Sequence, residues 1–400
     1  MFEAIESGIS SSPLPLGEGP GVRGVASPAS RKKASAGRRS TGDDPHPGPL
    51  PKGEGGRRPR SIGIGFVIVL ILSSSAKAQL PSTHSGEVVP RDVREMYDRG
   101  LQFLASSQTD KGDWAGGGEQ GPGVTGMAVL ALLASGEDPN FGLYSNHIRK
   151  ALRSIINAQD AATGFFGMSM YHHGFATLAL AEAYGAVDER DLWPEGKGPR
   201  SIGQSLELAV RAAITSQKGN PNNAWRYSPS GRDADTSVSG AVLVGLLAAR
   251  NAGIEVPDEA IDKAIGYFKS MTSKGGEVAY SGGMGGFGES MARSSIATLA
   301  YAVARRKDLA EYKATLAYIK QRIDQPAQFY MEYVRYYEAQ ALFQGDIEAW
   351  EKWNKLTVRQ LKESQGPDGS FKGQFGPTIS TSLSLLALAL NYRFLPIYER

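Results

Sequence analysis

From about residue 90 to its end, the chain alternates between two kinds of apolar segment. One kind is apolar on nearly every side, as in GMAVLALLASG from Gly126 and GAVLVGLLAARNAG from Gly240. The other kind is amphipathic, as in Asp258–Ser270, where apolar residues recur at helical spacing and charged residues cover the opposite face. A helix that is apolar all round must be buried all round, whereas an amphipathic helix lies between the interior and solvent. The pattern therefore predicts an all-α domain with an inner and an outer layer of helices.

The apolar segments recur at intervals of 42 to 66 residues, which leaves room for two helices and their loops in each unit. The equivalent points of the six units are Gly126, Gly174, Gly240, Ser295, Tyr337 and Leu385. Six helical hairpins that close on themselves form an α/α toroid, and the small residues of the inner helices would allow those helices to pack closely. An open superhelical solenoid is the alternative arrangement.

The first 78 residues have a different character. Residues 1–60 are rich in Gly, Pro, Ser and Arg and lack apolar periodicity, which predicts disorder. Their repeated LPLGEG and LPKGEG segments suggest an artefactual extension of the gene. Three arginines, the apolar run Ile62–Leu72 and a small-residue cleavage site predict a signal peptide over residues 61–78, cleaved before Gln79. We therefore expect export, then a linker over residues 79–92 and a toroid over residues 93–400, with membrane anchoring only if the signal is not cleaved.

Composition narrows the function classes. The chain has no cysteine, which excludes disulfides, thiolate metal sites and cysteine nucleophiles. The formal net charge of +3 arises from the first 60 residues, which carry ten Lys/Arg and six Asp/Glu, whereas the part from Gln79 onward is close to neutral. A nearly neutral domain without a basic run gives no reason to expect nucleic-acid binding.

A loop motif follows the amphipathic helix in four of the units. It consists of a glutamine at the helix end, a short loop, and then usually glycine, any residue and an aromatic residue. The copies run from Gln108 to Trp114, from Gln159 to Phe166, from Gln217 to Trp225 and from Gln365 to Phe371. The amide can bond to backbone groups at the helix end, glycine permits the turn, and the ring packs back over the helix. We therefore expect the motif to tie neighbouring hairpins together.

These residues resemble the Gln-Trp repeat of the squalene cyclase and protein prenyltransferase superfamily. Arg99–Trp114 matches that motif at every specified position, and the resemblance extends over residues 90–392. It implies an α/α toroid with a central cavity walled by the inner helices. It implies little about activity, because the superfamily also includes complement-type thioester domains and uncharacterised exported proteins.

Asp233 and Asp235, just before the third apolar segment, are the candidate catalytic residues. Triterpene cyclases of the superfamily that the chain resembles protonate an alkene with an Asp two residues before a Thr. With Thr236 as that Thr, the acid position holds Ala234, whereas a shift of one residue onto Ser237 places Asp235 there. Both carboxylates also have structural alternatives, because Asp235 lies where a helix N-cap is expected and Asp233 has arginines nearby for pairing.

Candidate ligand contacts are the histidines and aromatic residues expected near the same end of the barrel: His172, His173, Trp225, Tyr227, Tyr333 and Tyr337. Aromatic faces stabilise carbocations in a cyclase, but four tyrosines within residues 330–337 also suit a packed seam. Adjacent histidines on a helix cannot both face one metal, and the zinc site of the prenyltransferases contains a cysteine. We therefore expect no metal and no cofactor.

These observations favour an exported toroid that binds a small molecule, a glycan or a protein without catalysing the reactions of the enzymes that it resembles. The alternatives are a divergent terpenoid cyclase that uses Asp235 as its acid, and a polysaccharide-active hydrolase or lyase. Export favours glycans over isoprenoid diphosphates, because polysaccharides are abundant outside the cytoplasm whereas isoprenoid diphosphates are made inside it.

Overall fold

The structure, a computed structural model, describes residues 89–114, 120–281, 291–325, 327 and 329–398. The predicted disordered extension at residues 1–60 and the predicted signal peptide at residues 61–78 lie outside the described residues. The first helix begins at Arg91, so it includes the last two residues of the predicted linker. Of the helices in the described ranges, none has the length and apolar character that crossing a bilayer requires.

Twelve α-helices alternate between an outer and an inner layer in the described residues, which confirms the predicted fold class. The outer helices are α1 (Arg91–Ser107), α3 (Ser145–Asn157), α5 (Ile202–Gly219), α7 (Asp258–Met271), α9 (Ala310–Lys320) and α11 (Ile347–Ser364). The inner helices are α2 (Pro122–Leu133), α4 (Met170–Ala183), α6 (Thr236–Asn251), α8 (Met291–Val303), α10 (Met331–Gly345) and α12 (Pro377–Ala389). Short 3-10 helices cover Glu189–Asp191, Pro194–Gly196 and Pro396–Tyr398.

Burial separates the two layers. Every residue of α2 and of α4 is buried. In contrast, α11 buries one face around Trp350, Trp353 and Leu361 and leaves its charged residues outside. The apolar pattern therefore assigned each helix to its layer for a simple reason: only the inner helices lack a polar face that could meet water.

The inner helices form a closed ring. Each inner helix packs against the next one in chain order, and α12 packs against α2. This closure distinguishes the toroid from the open solenoid. It also removes the two exposed apolar ends that an open stack of such helices would leave.

Glycines allow the inner helices to approach one another, as the small residues predicted. A Cβ atom on Gly174 would lie 2.6 Å from the carbonyl carbon of Ala241 on α6, and one on Gly126 would lie 2.8 Å from the carbonyl oxygen of Phe175 on α4. Distances this short leave no room for a methyl group against backbone atoms. The equivalent points of the first two units are therefore contact points between neighbouring inner helices.

The glutamines of the loop motif join neighbouring hairpins, as predicted. The amide of Gln365 donates one N–H to the carbonyl of Gly369 in its own loop at 2.9 Å and the other to the carbonyl of Met96 on α1 at 2.8 Å. Because α1 belongs to the first hairpin, this side chain links the last hairpin to the first. The same pair of bonds, to the loop and to the next outer helix, is made by Gln108, Gln159 and Gln217.

The other residues of the motif complete the junction. Gly369 has φ +85°, and a Cβ atom there would lie 2.2 Å from the carbonyl oxygen of Arg99, so glycine is required both by conformation and by space. In the third unit Asn223 takes this place with φ 57°. The indole N–H of Trp225 then donates to the carbonyl of Ala213 on the preceding outer helix at 2.9 Å.

The structure also contains a copy of the junction that the sequence did not reveal. Gly276, after α7, approaches the next outer helix in the same way, since a Cβ atom there would lie 2.2 Å from the carbonyl oxygen of Ala314. Thr272 stands in place of the glutamine and Val278 in place of the aromatic residue. Without those two side chains the copy has no recognisable sequence signal, although its backbone path is the same.

In the sixth unit, the equivalent point lies three residues before the predicted position. In unit three the backbone N–H of the loop tryptophan donates to Ser239, directly before Gly240. In unit six the backbone N–H of the loop phenylalanine donates to Thr381, so the equivalent point there is Ser382 rather than Leu385. Ser382 and Leu385 lie on the same apolar helix. The apolar pattern alone does not show which residue of that helix is equivalent to Gly240.

The close contact at Gly174 predicts opposite effects for two glycine substitutions. Gly174→Ala should lower the free energy of unfolding by about 1–3 kcal/mol, because the methyl group overpacks the α4–α6 contact. Gly266→Ala, in the exposed middle of α7 with nothing within 4 Å of the new atom, should raise it by about 0.5–1 kcal/mol through helix propensity. Urea denaturation of both variants measures the two changes, and a loss of stability at Gly266 comparable to that at Gly174 would contradict the packing account.

Candidate functional site

The end of the toroid at which the inner helices begin, here called the mouth, brings together the charged and aromatic residues singled out in the third unit. The loop before α6 contributes Arg226, Tyr227, Asp233 and Asp235, and the segment after α7 contributes Tyr280. We call these five residues the mouth cluster. Their positions follow from two adjacent outer-to-inner loops, which meet because α6 and α8 are neighbours in the ring.

Asp235 is the N-cap of α6. Its Oδ1 accepts hydrogen bonds from the backbone N–H of Ser237 at 2.7 Å and of Val238 at 2.9 Å, and the residue is 0% exposed. These bonds satisfy two of the donors that the first turn of a helix leaves without intrahelical partners. The capping interpretation of Asp235 therefore describes what its carboxylate does in this structure.

Arg226 connects the two aspartates. Its Nη1 lies 3.4 Å from Oδ2 of Asp235, and its Nε lies 3.5 Å from Oδ2 of Asp233. The guanidinium also lies over the rings of Tyr227 and Tyr280, at 5.1 and 5.6 Å from their centroids. Such a position combines ion pairing with attraction to the aromatic faces, so the guanidinium fixes the relative placement of all four side chains.

Burial dominates the electrostatics of the cluster. It raises the pKa of Asp235, although hydrogen bonds from Val238 and Tyr280 and the charge of Arg226 act in the opposite direction. Burial, together with the nearby Asp235 carboxylate, raises the pKa of Tyr280 to about 12, and burial also raises the pKa of Tyr227. Both phenols therefore stay protonated near neutral pH and are available as hydrogen-bond donors.

The two aspartates differ in accessibility. The side chain of Asp233 is 62% exposed, whereas that of Asp235 is 0% exposed, and Arg226 between them is 19% exposed. A molecule at the mouth therefore meets Asp233 and the edge of Arg226, together with the partly buried rings of Tyr227 and Tyr280. Asp235 lies behind this surface and holds it in place.

The middle of the barrel is filled where α4 and α10 face each other. The hydroxyl groups of Tyr171 and Tyr333 lie 2.9 Å apart, and the rings of Phe175 and Tyr336 lie 6.1 Å apart. These side chains and Tyr337 are each 2% exposed or less. Tyr333 and Tyr337 thus occupy the space that the implied central cavity would need, and they pack there as the seam alternative anticipated.

The histidines lie in the wall of the toroid. α4 begins at Met170, so His172 and His173 belong to its first turn. Nδ1 of His172 accepts from the backbone N–H of Gly123 at 3.1 Å. Nδ1 of His173 accepts from the backbone N–H of Phe166 at 3.4 Å, and its Nε2 lies 2.9 Å from the carbonyl oxygen of Ala209.

Burial explains the charge state of these histidines. His172 is 1% exposed and His173 is 0% exposed, and the loss of solvation lowers the pKa of each to about 4. His173 also occupies the helical position of Ser239 in the third unit, where a side chain accepts the N–H of the loop aromatic residue. Both histidines therefore serve as neutral packing and hydrogen-bonding groups of the wall.

The structure also places the remaining residues that the sequence suggested for the site. Trp225 is fully buried in the hairpin junction, and Ala234 is 1% exposed beneath the mouth. With Thr236 as the reference, the acid position of the cyclase motif is therefore a buried methyl group. The described residues contain no group of three or more His, Asp or Glu side chains arranged to hold a metal ion.

Tyr280 is the functional candidate that the sequence did not suggest. It comes from a different loop, 53 residues after its hydroxyl neighbour Tyr227, and the two oxygens lie 3.4 Å apart. The repeat could have indicated Tyr280. Tyr227 comes two residues after the loop tryptophan of the third unit, and Tyr280 comes two residues after Val278, which takes the place of that tryptophan in the fourth unit. The missing glutamine and aromatic residue of the fourth unit hid that alignment.

Solved structures with the same architecture include two classes of enzyme. The alpha-1,6-mannanase GH76A of Salegentibacter sp. HEL1_6, an inactive variant in complex with alpha-1,6-mannotriose, superposes with a TM-score of 0.56 at 11% identity over 76% of this chain and 99% of that chain. The type II terpene cyclase MstE from Scytonema superposes with a TM-score of 0.51 at 16% identity over 76% of this chain and 99% of that chain. At these identities the likeness shows the toroid fold alone.

Sequence comparison identifies a family. A family model described as "Domain of unknown function (DUF6288)" matches residues 94–327, which is more than half of the chain. No curated protein matches the sequence. The resemblance to the squalene cyclase and prenyltransferase superfamily is thus supported as a likeness of fold, since toroid structures that carry terpene cyclisation and mannan hydrolysis are both similar to this chain.

The capping role of Asp235 predicts a difference between two substitutions. Asp235→Ala removes the acceptor for two buried backbone N–H groups and should lower the free energy of unfolding by about 1–2 kcal/mol. Asp235→Asn keeps an oxygen acceptor at the cap and should lose clearly less. Chemical denaturation of the two variants separates these outcomes, and equal losses would mean that the carboxylate charge, rather than the cap, stabilises the fold.

Burial of neutral His173 predicts a loss of stability in mild acid. The unfolded chain takes up a proton near pH 6.5 and the folded chain only near pH 4, so the contribution of this group is present above pH 6.5 and is lost as the pH falls towards 4. The loss amounts to about 3 kcal/mol. In His173→Gln, the decrease of unfolding free energy between pH 7 and pH 4.5 should be smaller than in the original protein by roughly this amount, whatever the cost of the substitution at pH 7. Parallel pH profiles would refute the assignment.

Proposed function

Because the chain belongs to the DUF6288 family, a domain of unknown function, we propose its activity from its own geometry: the mouth cluster binds a glycan without cleaving it. The observation that carries this proposal is the contrast between the accessible Asp233, Arg226, Tyr227 and Tyr280 and the fully buried Asp235. The accessible side chains can bind a ligand, whereas Asp235, the residue best suited to act as an acid, caps α6.

The chemistry of the accessible surface suits a sugar. Sugar hydroxyl groups are both donors and acceptors, and the mouth offers a carboxylate acceptor at the exposed Asp233 and phenol groups that can donate or accept. The guanidinium of Arg226 covers one face of the Tyr227 and Tyr280 rings. The parts of these rings that stay exposed add apolar surface next to the polar groups, which suits the apolar face of a pyranose. A small number of polar groups set among aromatic surface is typical of small-molecule sites.

The hydrogen bonds of Asp235 support binding over catalysis. One of its oxygens accepts from two backbone N–H groups, the other lies beside Arg226, and Tyr280 adds a further bond. A general acid must reach the atom that it protonates. In this arrangement Asp235 could act only after the N-terminus of α6 and its partners had moved.

Terpenoid cyclisation is less well supported. A cyclase needs a central cavity for an apolar chain, and the tyrosine pair across the barrel occupies that space. In the preferred alignment the acid position is Ala234, which carries no proton to donate. The likeness to a type II terpene cyclase concerns the toroid as a whole.

Glycan hydrolysis is the second candidate, and one specific observation favours it. Asp235, whose pKa is raised by burial, and the exposed Asp233 lie on either side of the same guanidinium. A buried carboxyl with a raised pKa close to a second, exposed carboxyl is the kind of pair from which glycosidases draw their acid and base. The fold neighbour that acts on a mannan makes this the natural enzymatic alternative.

The predicted signal peptide extends the proposal to where the protein acts. An exported toroid would meet glycans in the periplasm or outside the cell, which suits a mouth built for a polar, ring-shaped ligand. A protein partner that presents a glycan fits the same chemistry.

A calorimetric titration tests the binding proposal. The full chain is titrated with a panel of oligosaccharides that includes alpha-1,6-mannotriose, and with geranylgeranyl dihydroxybenzoate as the terpenoid comparison. Asp233→Ala should weaken the binding of the responding glycan about tenfold or more, since a hydrogen bond to a charged group is worth roughly 1.5–3 kcal/mol. Asp308→Ala is the matched control, because Asp308 is similarly exposed and pairs with Arg306 at the same 3.5 Å distance.

Three results would contradict the proposal or replace it. Equal weakening by both substitutions would show that the mouth is not the site. Binding of the terpenoid instead of any glycan would favour the cyclase interpretation. Appearance of shorter sugars on prolonged incubation, abolished by Asp235→Asn, would select the hydrolase.

A further inference from the structure

A cleft opens in the wall of the toroid between the fifth and sixth hairpins, and it shares no lining residue with the mouth cluster. We call it the wall cleft and define it by Arg335 and Glu338 on α10 and by Trp353, Thr357 and Gln360 on α11. Its volume is about 170 Å³. Apolar side chains, among them Val334 and Leu356, complete the walls.

Arg335 is placed in this cleft without a carboxylate partner. Its Nη2 donates to Oε1 of Gln360 at 2.7 Å, and among the described residues no carboxylate oxygen lies within 4 Å of its guanidinium nitrogens. Burial lowers the pKa of Arg335, and more distant Glu332 and Glu338 act in the opposite direction. A guanidinium has five donors, and the bond to Gln360 uses one of them, while Arg335 lines the cleft.

The nearby acidic groups are engaged by other partners. Oε2 of Glu338 accepts the indole N–H of Trp353 at 3.0 Å, and Glu338 is only 8% exposed. Asp324, at the edge of the cleft, pairs with Lys352 at 2.6 Å. The arrangement holds Arg335 close to negative charge, while the carboxylates of Glu338 and Asp324 bond to other described side chains.

We propose that the wall cleft binds a small monocarboxylate with a branched apolar body, held by the guanidinium of Arg335. A carboxylate matches the guanidinium fork and forms two parallel hydrogen bonds with it. The apolar walls would cover the rest of the ligand. A volume of about 170 Å³ is room for a small ligand only.

The surrounding charges select this class over other anions. Glu332 and Glu338 lie one turn before and one turn after Arg335 on α10, so an anion with two or more charges would be repelled more than a monoanion. Inorganic phosphate therefore fits the cleft less well than a carboxylate. A neutral amide of the same shape would fill the volume but would not pair with the cation.

The test is a saturation-transfer NMR titration of the full chain with isobutyrate, isobutyramide and inorganic phosphate. Isobutyrate should bind with a dissociation constant in the millimolar range or below, and the amide and phosphate at least tenfold more weakly. Arg335→Gln should weaken isobutyrate at least tenfold. Arg359→Gln is the matched control, because Arg359 is an arginine on α11, the other helix that lines the cleft, but its side chain is 82% exposed and pairs with Glu363.

Each remaining outcome decides the question. Equal binding of isobutyrate and isobutyramide, or phosphate as tight as isobutyrate, would overturn the proposal, as would unchanged binding in Arg335→Gln. If circular dichroism shows that Arg335→Gln does not fold, Arg335→Lys decides instead. Lysine keeps the charge but lacks the fork, so weakening of about tenfold supports the site and an unchanged affinity rejects it.

Discussion

Helices that are apolar on every side can avoid water in only one way, which is to be surrounded by the rest of the chain. Every residue of α2 and α4 is buried, and most residues of the other inner helices are buried too, although α10 also carries Glu332, Arg335 and Glu338. An open row of hairpins would expose such helices at both ends, so the row must close. The closed ring, the outer layer and the meeting of six loops at one end all follow from this constraint. The mouth cluster exists because closure brings neighbouring loops together.

The sequence revealed those features whose signal is local. The two helix types, the glutamine junctions and the cap at Asp235 each depend on side chains within one unit, and their patterns were readable from a single stretch. Features that depend on contacts between several units could not be predicted from the sequence. The bond between Tyr171 and Tyr333 joins residues 162 positions apart, and no pattern along the chain indicates that the middle of the barrel is filled. Tyr280 was hidden for a related reason, because its unit keeps the backbone path of the junction but not its side chains.

The resemblance that indicated the fold does not indicate which surfaces of the toroid remain accessible. An implied central cavity directs attention to the residues that line it, and two of them, Tyr333 and Tyr337, are packed core. The polar and aromatic groups that remain accessible lie at the rim. A fold shared by a mannanase and a terpene cyclase carries no information on which of these surfaces is used, so the distinction comes from burial and hydrogen bonding in this chain.

The bond between Tyr171 and Tyr333 has a mechanical consequence. Because α4 and α10 stand on opposite sides of the ring, their paired hydroxyl groups form a strut across its diameter. Widening the ring along this diameter would break that bond and separate the packed rings beside it, which costs free energy that a deformation in another direction does not. α10 carries Tyr333 on its inner side and Arg335 on its outer side. One helix therefore connects the packing across the ring to the wall cleft.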